Sequence, residues 1–154
     1  MRGVWIMCGA ALAGILLAGS LVAQDRSTEL RARFDRETEA VRKAKLMPEL
    51  GEQQFVKIRE KVRGGEFSEA NIVLQQYREE AQACEIALTA SRIDAEKHPT
   101  GFKQLEISLR ESLRRLNEML PGMGADEQAP FLEARKELIE MDQRLVRKLF
   151  PGRP

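Results

Sequence analysis

Large apolar side chains recur along this chain at steps of three and four, and no stretch alternates apolar with polar strictly for six residues. That period is helical, so the expected fold class is all-α, with about five helices. The first should open at Ser27, a good N-cap, and run to about Lys45 with Leu30, Phe34 and Val41 inward. Met47-Pro48 should end it, because the residue before a proline disfavours the helical region. The second, about Glu49 to Arg63, turns Phe55, Ile58 and Val62 inward and stops at Gly64-Gly65. The third, about Ser68 to Lys97, is the long one, roughly 45 Å at helical rise. Its stripe is Ala70, Val73, Tyr77, Ala81, Cys84 and Leu88. The fourth, about Phe102 to Leu120, carries Leu105, Leu109, Leu113 and Leu116 on one line. The fifth, about Ala129 to Leu149, sets Pro130 in its first turn and Phe131, Ala134, Leu138, Met141 and Leu145 inward.

The short turn Pro121-Gly122-Met123-Gly124 makes helices four and five an antiparallel hairpin, packed on the long third helix in an elongated bundle. Leu74, Ile86 and Ile93 widen the third helix's stripe beyond what one neighbour covers. They form the candidate interaction face, for a protein partner or a second copy.

The amino-terminal pattern is different. After Met1-Arg2-Gly3, Val4 to Val22 carries no charged side chain and closes on small residues at Ala18-Gly19-Ser20-Leu21-Val22-Ala23. A basic start, an apolar middle and a small residue before the charges are the parts of a secretory signal. Cleavage after Ala23, or after Ser20, would leave residues 24–154 as a single helical domain. Retention would make residues 4–22 a single membrane anchor, since the run is about long enough to cross a bilayer. Trp5-Ile6-Met7 before Cys8 is too bulky for a lipoprotein signal. The expected destination is the bacterial periplasm or the exterior.

Charge and cysteine content narrow the partners. Removing Arg2 with the leader leaves 24 basic side chains against 24 acidic. A neutral domain gives no electrostatic reason to bind nucleic acid or an anionic membrane. Cys84 is then the lone cysteine; its position on the apolar stripe reads as burial, and no internal disulfide is available.

No catalytic set can be named, so the chain is not expected to be an enzyme and no cofactor or metal is expected. His98 is the single imidazole and precedes Pro99 in a loop, where it suits the negative end of a helix. One histidine and one cysteine cannot build a zinc site, and Glu137 with Glu140 reads as a solvated face. Gly64-Gly65 and Gly122-Met123-Gly124 lack the context of a phosphate loop. Arg114-Arg115 lies between Glu111 and Glu118 and is no basic patch.

Two local resemblances add little. Gly65-Glu66-Phe67-Ser68-Glu69-Ala70 resembles the inter-helix turn of a tetratricopeptide repeat, with Leu74 at a large apolar position. The likeness spans about ten residues. Tyr77 replaces the family's small residue, the closing proline is missing near Gln82, and no second copy follows, so it implies a helix-turn-helix and no array. Leu88-Thr89-Ala90-Ser91-Arg92 resembles the Leu-Thr-x-x-Gln motif of small periplasmic helical chaperones but lacks the glutamine. The function expected is an exported helical protein-interaction or structural module. The alternative is a chaperone-like bundle binding unfolded or apolar segments, with Met119, Met123 and Met141 softening a groove.

Overall fold

The structure, a computed structural model, describes residues 18–152, with side chains described from residue 26. It is an all-α bundle: α1 (Ala18–Arg36), α2 (Ala40–Arg63), α3 (Phe67–Ala90), α4 (Thr100–Met119) and α5 (Ala125–Leu149), with a short 3₁₀ turn at Leu120–Gly122. The apolar segment from Val4 lies mostly outside the described residues, and its last part opens α1. Among the described residues no helix is long and apolar enough to cross a membrane.

Four boundaries differ from the pattern. Helix α1 opens at Ala18, so Ser27, expected as its N-cap, lies inside the helix. The first break falls at residues 37–39, not at Met47-Pro48. Two glutamates make it: Glu39 accepts from the backbone N–H groups of Val41 and Arg42, both at 2.8 Å, and Glu37 accepts from that of Glu39 at 2.9 Å. These backbone bonds first, and the Arg42 guanidinium after them, hold both carboxyls below their usual range. Pro48 lies inside α2 and removes only the bond to the Ala44 carbonyl. Another difference is the end of α3, seven residues before Lys97. Ser91 caps the helix and Arg92 takes a left-handed φ of 56°. Asp94 Oδ1 then accepts from the backbone N–H groups of Glu96 and Lys97 and turns the chain. At 24 residues α3 is no longer than α2, also 24, or α5 at 25, so no single long helix organises the bundle. The last is α5, which opens at Ala125. Gln128 Nε2 donates to the carbonyls of Leu120 and Met123, both at 2.9 Å, and ties the turn to the new helix. Pro130 therefore sits in the second turn, on the exposed side.

Side-chain pairs give the directions. Arg78, Glu85 and Thr89 of α3 meet Glu137, Arg144 and Lys148 of α5, always 59 residues apart, so α3 and α5 run parallel. Met47 and Glu52 of α2 meet Ser108 and Arg115 of α4 and set those two parallel. Asn117 meets Arg135 and Arg110 faces Asp142, so α4 and α5 run opposite ways. Two helix pairs, α2 with α3 and α4 with α5, thus lie side by side in one sense. The core runs between them through Phe55, Ile58, Leu74, Tyr77, Leu88, Phe102, Leu105, Leu109, Phe131 and Leu138. Helix α1 rests on α2 through Leu30 and Phe34, with Lys43 Nζ 4.7 Å above the Phe34 ring.

Candidate interaction face

The three residues of the expected face part company. Leu74 is fully buried in the core, so its place on an outer face is corrected: α3 is flanked by α2, α4 and α5 and needs a wider inner stripe than a two-helix contact. Ile86 is 60% exposed. Ile93 lies beyond the end of α3 in the connecting loop, packed partly against the core.

Ile86 borders a shallow groove of about 510 Å³ between α3 and α5, with Gln82, Ala90 and Thr89 beside it. The groove floor is fixed by ions. Arg144 donates to both Glu85 oxygens, at 2.7 and 2.8 Å, and Lys148 donates to Thr89 at 3.0 Å. This two-pronged bond raises the Arg144 guanidinium's pKa. Thr89 and Lys148 also border a small hollow with Ile93 and Phe102. Ile72, 64% exposed, lies on the same outer side of α3, fourteen residues and so about 21 Å from Ile86.

The candidate chemistry is otherwise occupied. Burial pushes the Cys84 thiol up to about 12, which keeps it protonated and unreactive. His98 is exposed, and its backbone N–H closes the Asp94 turn at 2.8 Å. Glu137 accepts from Arg78 at 3.0 Å. Arg115, nearly buried, lies between Glu52 and Glu111, while Arg114 binds Glu111 and Glu118. Those two arginines, Arg114 first, hold the Glu111 carboxyl down to about 2. Among the described residues no group of three or more His, Cys, Asp or Glu is placed to hold a metal. Met123 and Met141 are buried, while the partly buried Met119 borders a surface groove of about 560 Å³ with Val62, Arg59, Arg63, Glu118 and Gly122.

Two buried polar junctions remain, and the apolar pattern gave neither. At the first, between α2, α3 and α4, the Tyr77 hydroxyl and Ser108 Oγ share a hydrogen bond of 2.9 Å. Ser108 reaches the Met47 carbonyl at 3.2 Å, and Ser112 donates to the Ser108 carbonyl at 2.8 Å. Burial pushes the Tyr77 phenol up to about 12 against the pull of both serines. At the second, between α1, α2 and α3, Glu80 accepts from Gln54 at 2.9 Å and from Arg31. Burial raises the Glu80 pKa, with Arg31 and Gln54 pulling it down.

No family model, no curated protein and no solved structure matches this chain.

Proposed function

We propose that this chain is an exported helical module that works by holding another protein against the outer face of α3. The carrying observation is Ile86: a large apolar side chain 60% exposed beside a groove whose floor is already fixed by the Arg144–Glu85 pair. A rigid floor under an exposed aliphatic side chain gives a docking partner a preorganised surface, and ordering costs on binding are small. Ile72 extends the same face by about four helical turns. The signal-like segment before Gln24 supports the exported part of the reading. A chaperone-like role draws less support, because Met123 and Met141, two of the three methionines expected to soften a groove, are packed inward and only Met119 borders one.

The test is photo-crosslinking in producing cells from an unnatural side chain placed at Ile86, at Ile72 or at exposed Glu133. Discrete adducts at 86 and 72, absent at 133, support the reading. Light scattering then separates a second copy of the chain from a different protein. A chain that gives no adduct at either isoleucine has no partner on this face, and the proposal fails.

A further inference from the structure

We propose that the outward face of α2 is a two-fold contact between two copies of this chain, which pack α2 against α2 in opposite senses. The face is the stripe Glu49, Glu52, Val56, Arg59 and Arg63. Its steps of three, four, three and four put all five on one side of the helix. Helix α4 flanks this stripe beside Gly51 and Phe55, and α1 flanks it beside Gln53 and Lys57. Between the flanks Glu49, Glu52, Val56 and Arg63 are exposed and Arg59 is half-buried. The four core helices set α2 and α5 at opposite corners of the bundle. The face is therefore away from the Ile86 groove between α3 and α5, and stands or falls separately from it.

The stripe is acidic before Val56 and basic after it. Among the described residues Glu49, Arg59 and Arg63 make no ion pair, while Glu52 accepts from Arg115 and keeps 55% of its side chain exposed. The negative end of the α2 dipole accounts for Arg63, which lies in the last turn. It does not account for Arg59, a turn further in, where two like charges at i,i+4 repel each other. The basic half of the stripe is thus left without an answering charge inside its own chain.

A second copy supplies it. Val56, 43% exposed, is the centre of the stripe. Glu49 lies seven residues before it and Arg63 seven after, Glu52 four before and Arg59 three after. A two-fold axis at Val56 sets Glu49 opposite Arg63 of a second copy and Glu52 opposite Arg59 of a second copy, and each pairing occurs twice. The two Val56 side chains meet in the middle, within a contact about 21 Å long. Glu60, on the α1 flank, faces Gln53 in this arrangement and meets no acid. Lys45, a turn before Glu49, falls opposite chain beyond the end of α2. A parallel pair would set Glu49 on Glu49 and Arg63 on Arg63, and like charges opposed across an interface repel. The charge order therefore selects both the partner and its direction. A small apolar centre inside a charged rim makes this a salt-sensitive contact.

Sedimentation equilibrium of the chain as isolated from producing cells, at low and at high salt, tests this. The parent should form a dimer at low salt that weakens as salt rises. Arg63→Glu and Glu49→Arg change exposed residues that pair with nothing in their own chain. Each should weaken self-association by roughly tenfold or more, with the circular dichroism unchanged. An equimolar mixture of the two variants should recover a dimer with one of each, because every altered residue then meets its opposite charge. Crosslinking from Ile86 should be the same in the parent and in Arg63→Glu. A parent that stays monomeric at low salt would leave the stripe to a different protein and overturn the proposal. So would a dimer indifferent to Arg63→Glu, or a mixture of the two variants that stays monomeric.

Discussion

The two polar junctions close differently. Around Tyr77 every hydroxyl finds a partner: Tyr77 with Ser108, Ser108 with the Met47 carbonyl, Ser112 with the Ser108 carbonyl. Gly51 is part of that closure, since a Cβ there would stand 2.9 Å from Tyr77 Cε2 and 3.2 Å from Ser108 Oγ. Around Glu80 the network stops short, leaving Gln54 Oε1 without a donor. A closed network is a packing element that fixes how α2, α3 and α4 meet. An open one keeps a buried acceptor at its full desolvation cost, and that unpaired atom is what distinguishes it from the first.

The core on which both junctions rest should give the largest effect. Leu74→Asp places an unpaired carboxylate where the side chain is fully buried. The expected loss exceeds about 4 kcal/mol, enough to unfold a domain of this size. Circular dichroism and urea titration would show it. A folded, monomeric Leu74→Asp chain would mean that Leu74 is outside the core after all. Gly51→Ala comes next, at about 1–3 kcal/mol for overpacking against Tyr77. A stabilised Gly51→Ala would show that the Tyr77 junction is looser than its distances indicate.

How far these features are legible in the sequence depends on the residue. The inner stripes of α4 and α5 are plain, because each helix carries one narrow apolar line and Phe102, Leu105, Leu109, Phe131, Leu138 and Leu145 are all buried on it. The stripe of α3 misleads at Leu74, because a helix with three neighbours buries two adjacent apolar positions where a two-helix contact buries one. The ends of α2 and α3 hide because unusual residues make them. Glutamates cap α2 where Ser, Thr, Asp or Asn is usual, and Arg92 takes the left-handed position that Gly commonly fills. The open junction does leave a trace. Gln54 lies between Leu50 and Ile58 on the inner line of α2, and Glu80 between Tyr77 and Cys84 on that of α3. A polar residue inside an apolar line marks a buried network, but which polar residue answers it depends on packing between helices.

A pair of near-isosteric substitutions sharpens the contrast. Tyr77→Phe removes a satisfied hydroxyl and leaves Ser108 with the Met47 carbonyl, at a cost of about 1 kcal/mol. Gln54→Met removes one good bond to Glu80 together with an unsatisfied carbonyl oxygen, and the two changes offset each other. Gln54→Met should therefore cost less than Tyr77→Phe, measured by urea midpoint at constant slope. The reverse order would mean that Gln54 Oε1 is satisfied in solution and that the two junctions are alike.

The smallest effect is a pH slope. Burial raises the Glu80 carboxyl above its ordinary 4.5, against the opposing pull of Arg31 and Gln54. Between 4.5 and the raised value the folded chain holds a proton at Glu80 that the unfolded chain has released, so stability attributable to this group falls as pH rises through that window. Glu80→Gln removes the titration and leaves Arg31 with Asp35 and Gln76. Glu111, held down to about 2, loses its contribution only as pH falls below 4.5. Asp142 is also raised by burial but titrates alike in both chains, so it cancels in the difference. Unfolding free energies measured from pH 4.5 to 7 should therefore show Glu80→Gln gaining on the parent chain as pH rises. A parent chain that gains on the variant instead would mean that pairing with Arg31 outweighs burial, and that the second junction is held as firmly as the first.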